Sequence, residues 1–116
     1  MKEYMFLYKG ADPDWMKNAS DEEKKATMEK WGEWMGNLQQ QDKLSSGGSP
    51  LQFSGKRLTS DGVVTDIAAA ELKEMVTGYS VVRAENYEDA IEIAKACPIF
   101  EYPGCSVDIR EVPKMG

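Results

Sequence analysis

The sequence predicts an α+β fold, and three observations carry that prediction. Strand and helix periodicities alternate along the chain, both helical stretches carry N-terminal caps, and the opening strand is apolar on both faces. At 116 residues the chain has room for one hydrophobic core, so residues 1–116 read as a single domain.

Lys2 to Tyr8 reads as a strand with Tyr4, Phe6 and Tyr8 on one face and Met5 and Leu7 on the other. Apolarity on both sides belongs to a central strand of a covered sheet. Gly10, Asp12-Pro13 and Asp14 give Lys9 to Asn18 the chemistry of a loop. Ser20 with Glu23 then forms a capping-box pattern, and Asp21 to Glu23 suit the positive end of a helix dipole. Met28, Trp31, Met35 and Leu38 recur at helical spacing, with Trp34 at the edge of the stripe, and the helix ends near Gln41.

Lys43 to Ser46 is a short strand that Gly47-Gly48-Ser49-Pro50 breaks. Phe53 to Thr59 and Val63 to Ile67 flank Ser60-Asp61-Gly62, a hairpin signal. The next strand runs from Met75 to Arg83. Asn86 caps a second helix with Tyr87, Ala90, Ile91 and Ala94 on its apolar face, and Pro98 follows its end. Cys105, Val107 and Ile109 alternate with Ser106, Asp108 and Arg110 in the last strand. The order is β-α-β-β-α-β, the ferredoxin-like arrangement, with an elaborated central hairpin and both helices on one face of an antiparallel sheet. The other face is left apolar and uncovered. A second copy, docked by a two-fold contact, is the simplest cover, so a homodimer is expected.

Composition narrows the functions open to the chain. A net charge of −6 with scattered basic residues disfavours nucleic acid as a partner. No stretch approaches the ~20 apolar residues of a membrane span, and the first ten residues lack the layout of a signal peptide, so a cytoplasmic protein with no membrane partner is expected. Cys97 and Cys105 read as reduced thiols. Histidine is absent, which removes catalytic dyads and triads built on imidazole and every His-ligated metal. Asp12 and Asp14 lack the fuller ligand set of a metal site, and no cofactor is expected.

The chain resembles the YCII-related domain family, in the branch named for its DGPF motif. The likeness is carried by Lys2-Glu3-Tyr4-Met5-Phe6-Leu7-Tyr8, by Trp31-Gly32-Glu33-Trp34-Met35 with Leu38, by Lys43-Leu44 and Gly47-Gly48, by Glu71-Leu72-Lys73-Glu74 and Gly78-Tyr79, and by Asn86 to Pro98 and Val107 to Val112. The resemblance implies a ferredoxin-like fold assembled as a dimeric α/β barrel. One branch of the family was proposed to be enzymatic through a His–Asp pair; the position of that histidine falls near Trp31 here. Another set of relatives is associated with transcription-initiation factors. Where the motif expects Asp-Gly-Pro-Phe, this chain keeps Asp66 and continues Ile67-Ala68-Ala69, so the rigid turn and the aromatic wall are replaced.

Asp66 and Glu71, with Glu74 nearby, are candidate general bases if burial raises one carboxyl toward neutrality; the plainer reading is a turn aspartate and solvated glutamates. Trp31 is a candidate stacking platform or else core. Tyr79, Asp108 and Arg110 are candidate ligand-binding residues: Arg110 can grip a carboxylate if its strand face lines a cavity, whereas a cross-strand or intersubunit ion pair is the competing role of Asp108 and Arg110. The function expected is a homodimer binding a small polar or anionic ligand in a cleft. The alternatives are a cofactor-independent isomerase or lyase and a regulatory interaction module linked to transcription.

Overall fold

The computed structural model describes residues 1–11, 13–67 and 73–114. Strand β1 (Lys2–Lys9) lies between β5 (Val76–Ala84) and β6 (Ser106–Val112), and β2 (Leu44–Pro50) adds to the far side of β5. Every pairing is antiparallel and the order is β2-β5-β1-β6, the ferredoxin-like arrangement the element order predicts. A separate two-stranded hairpin, β3 (Lys56–Leu58) and β4 (Val64–Asp66), interrupts the connection from β2 to β5. The described strands do not close into a barrel.

The core lies between the sheet and the helices α2 (Asp21–Gln40) and α3 (Tyr87–Lys95). Tyr4, Phe6 and Tyr8 of β1 and Val82 and Ala84 of β5 are buried against Trp34, Leu38, Ala90, Ile93 and Ala94. Tyr4, Phe6 and Val82 are wholly sequestered; full burial of side chains of this size stabilises by about 1.5–3 kcal/mol each. Phe6 stacks on Trp34, and Trp31 meets Tyr8 edge-on at 5.4 Å.

Local chemistry fixes the helix ends. Ser20 Oγ accepts from the Glu23 N–H at 3.1 Å while the Ser20 N–H donates to the Glu23 carboxylate, the reciprocal cap its sequence predicts. At the other end Asp42 takes the left-handed conformation, φ 57°, its N–H reaching the Gln39 carbonyl and that of Lys43 the Leu38 carbonyl. Arg83 holds this turn through the Asp42 carboxylate and carbonyl. Asn86 caps α3 by accepting from the Asp89 N–H at 2.9 Å.

Several elements differ from their sequence expectation. The segment after Gly10 contains a short helix, α1 (Pro13–Asn18), because Pro13 stands at its first position, where a missing N–H costs nothing; Trp15 packs edge-on against Tyr102. Ile93 replaces Ile91 on the buried face of α3, since 90, 93, 94 and 97 complete the helical stripe. Met28 is 70% exposed, as nearly all of the first half of α2 is exposed. The glycines and Pro50 do not end β2. Its register shifts between Leu44 and Ser46 and between Ser46 and Ser49, so the extra residues bulge and the strand resumes.

The bulge depends on Gly48. Its φ is +71°, and a Cβ there would sit 1.7 Å from the Tyr79 carbonyl oxygen. Gly48→Ala is expected to destabilise by more than about 3 kcal/mol, the left-handed penalty plus a clash that only backbone movement relieves. At Gly62, φ +85° with open space around it, alanine costs only about 1–2 kcal/mol. Urea unfolding of the two variants measures the difference. Tyr4→Phe has the opposite expectation. The buried Tyr4 hydroxyl has no hydrogen-bond partner among the described residues, so its removal leaves the unfolding midpoint unchanged or raised.

Candidate functional site

The sheet face turned away from the helices is built by alternation. On β1 it presents Glu3, Met5, Leu7 and Lys9; on β5, Tyr79, Val81 and Arg83; on β6, Asp108 and Arg110. Register aligns these into rows. Tyr79, Leu7 and Asp108 lie side by side across three strands, with Ser49 of β2 beyond Tyr79, and Val81, Met5 and Arg110 form the next row. Met5, Leu7, Tyr79 and Val81 are half-buried, and none of the described helices packs over them.

Charges ring this apolar centre, and most are paired. Lys9 bridges Asp108 at 3.0 Å and Glu74 at 3.3 Å; the two carboxylates raise its pKa, Asp108 most, and keep it protonated. Arg83 is held by Asp42, and the Glu3 carboxylate accepts from Ser45 Oγ. Arg110 makes no ion pair with any described residue. Asp108 therefore takes the cross-strand pairing, with Lys9 as its partner, and leaves Arg110 uncompensated. Sequence reasoning missed Lys9, although its i, i+2 relation to Leu7 puts it on this face.

The other candidates lie elsewhere. Trp31 projects from α2 to the helix side of the sheet, edge-on to Tyr8 and to Trp34 and packed against the core, so it shares no surface with Tyr79, Asp108 and Arg110. Asp66 ends β4, 78% exposed and ion-paired with Lys56, so it lacks the burial that the general-base reading requires. Glu71, like Asp12, lies outside the described residues. Glu74 is tied to Lys9.

A buried polar chain on the helix side was not foreseen either. Tyr8 Oη donates to Ser80 Oγ at 2.9 Å, and Ser80 Oγ donates to the Gly47 carbonyl at 3.0 Å. Ser80 is wholly buried; a serine amid apolar residues of β5 is the signal that could have found it. Cys97 lies against the Tyr8 hydroxyl. Burial raises both pKa values, that of the Tyr8 phenol far above its usual range and that of the Cys97 thiol up to about 11 from 9.0. A thiol held neutral in this way is a poor nucleophile.

On the outer side of the helices a shallow groove between α2 and α3 contains depressions of about 350 and 300 Å³ floored by Trp34. Among its charges, Lys30 pairs with Glu101 and Glu92 with Lys95. No group of three metal-ligating side chains occurs among the described residues, and none of their helices is long and apolar enough to cross a membrane.

Fold and face together describe a small α+β protein whose one-sided sheet carries a ring of charges in which Arg110 pairs with no described carboxylate. The chain belongs to the YCII-related domain family, whose model matches residues 3–113. No curated protein matches it.

The raised thiol pKa has a consequence for stability. Between pH 9 and about 11 the unfolded chain releases the Cys97 proton while the folded chain keeps it, so stability is complete below pH 9 and falls as pH rises through that window. Unfolding free energies measured from pH 8 to 11 are expected to decline less steeply for Cys97→Ala than for the native chain. The difference is on the order of 2 kcal/mol at the upper end.

Proposed function

We propose that this chain is a single-domain binding protein that pairs with a second copy through the open sheet face and holds a small anionic ligand between the copies, giving a dimeric α/β barrel. Arg110 carries the reading. Its strand position pairs with that of half-buried Met5, in the row that also holds Val81 and beside the row of Leu7 and Tyr79, and its exposed side chain has no carboxylate partner among the described residues. A guanidinium in such surroundings is suited to bidentate capture of a carboxylate, and the apolar neighbours suit the ligand's body. Tyr79, in the adjoining row, orients it through its hydroxyl, and Asp108, kept engaged by Lys9, leaves the guanidinium open to it. On this reading the protein works in the cytoplasm without metal or organic cofactor, and it stands in the DGPF branch of its family. Turnover by a carboxylate base has less support, because Asp66 is exposed and already paired with Lys56.

Sedimentation is expected to find a dimer at micromolar concentration, and a panel of aliphatic and aromatic monocarboxylates to raise its melting temperature. Arg110→Gln should weaken that binding about 10- to 100-fold while leaving the ligand-free melting temperature unchanged. A monomer, or carboxylate binding indifferent to Arg110→Gln, overturns the reading.

A further inference from the structure

The β3–β4 hairpin is exposed along its whole length. Every residue of both strands is exposed, including Leu58 at 70% and Val64 at 61%, which stand opposite each other across the hairpin beside the Lys56–Asp66 ion pair. Leu51 and Val63 are exposed as well. A two-stranded ribbon is marginally stable by itself in water, and one with its apolar pair bare needs a surface to lie on. That surface is not its own sheet, against which these residues would be covered. The protomer is correspondingly spread out, with a radius of gyration of 15.7 Å against about 13 Å for a compact chain of this length.

We infer that the hairpin is an arm that lies on a second copy of this chain, its Leu58–Val64 pair against the apolar centre of the partner's open face. The inference rests on the pairing proposed above. Three features select this occupant. Leu58 and Val64 on the arm and Met5, Leu7, Tyr79 and Val81 on the face are unpartnered apolar surfaces of one chain, and a two-fold exchange covers both at once. The arm leaves β2 at Pro50, opposite Gly78, and so departs from the end of the sheet that carries Ser49, Tyr79 and Leu7. Charge favours the same contact. Residues 51–67 hold Lys56 and Arg57 against Asp61 and Asp66 and are neutral, while the remainder carries the whole −6. A neutral arm can meet an acidic body without the repulsion that two bodies would feel, and it offers anionic lipid or nucleic acid no attraction. In this position the arm lies over the Tyr79–Leu7 row, and the ligand cleft is left in the next row, at Met5 and Arg110.

The test compares the native chain with Leu58→Asp/Val64→Asp by sedimentation equilibrium, with circular dichroism to verify folding and hydrogen exchange over 51–67 in the native protein. The expected result is a native dimer whose arm amides gain protection as concentration drives association, and a folded double variant whose dimer dissociates at least tenfold more readily. A native dimer whose arm amides exchange freely, with dimerisation unaffected in the variant, overturns the arm while leaving the pairing intact. Should the native chain prove monomeric at every concentration, the pairing fails and the arm with it.

Discussion

Strand β1 is hydrogen-bonded along both edges, and its inward row of Tyr4, Phe6 and Tyr8 is the surface on which the helix layer packs. Because side chains alternate along a strand, a slip of one residue would place these rings in water and Met5 and Leu7 in the core. The pairing with β5 and β6 is thereby fixed, and the composition of the outer face follows from it. Two polar contacts reinforce the register. Tyr8 reaches Ser80 across the strand pair, and Ser80 reaches the bulged edge strand at Gly47, which joins three neighbouring strands by hydroxyl contacts where an apolar core alone would permit sliding.

The outer face shows how charge can be distributed to leave one group available. Lys9 is satisfied by two carboxylates and Arg83 by the turn after α2. The first interaction engages Asp108, which otherwise lies on the same strand face as Arg110, two residues away. A side chain at the end of one strand therefore governs the availability of another in the next row. Exposed pairs of this kind add little stability; here their effect is on where positive potential is left over.

The strand and helix order was legible because its signals are local: the reciprocal Ser20–Glu23 cap, the Asn86 cap, the Ser60-Asp61-Gly62 turn and the alternations of β1 and β6. The misreadings came where one residue type permits two outcomes. Pro13 starts a helix as readily as it makes a turn, and Gly47-Gly48 can break a strand or bulge it, the choice falling to how closely Gly48 approaches Tyr79. In the candidate site, alternation put Asp108 and Arg110 on one face and strand order added Tyr79. The partnership of Lys9 with Asp108, and the placement of Trp31 on the opposite side of the sheet, depend on tertiary geometry that spacing does not encode. The hydroxyl chain from Tyr8 was equally out of reach, since its members lie on three different strands.

The two rims of the sheet are unlike. On β2 the ladder is interrupted around Gly47–Gly48 and ends at a proline that has no N–H to offer, so a foreign strand finds little to zip onto. On β6 seven residues run without a bulge, and the Glu111 N–H is already taken by the Tyr87 hydroxyl. A ribbon that can accept a neighbour along one margin only joins like margin to like margin, so strand addition at the sheet edges stops by itself at two. Continuous edge-to-edge stacking of sheets is thus opposed by the irregularity of a single glycine-rich strand.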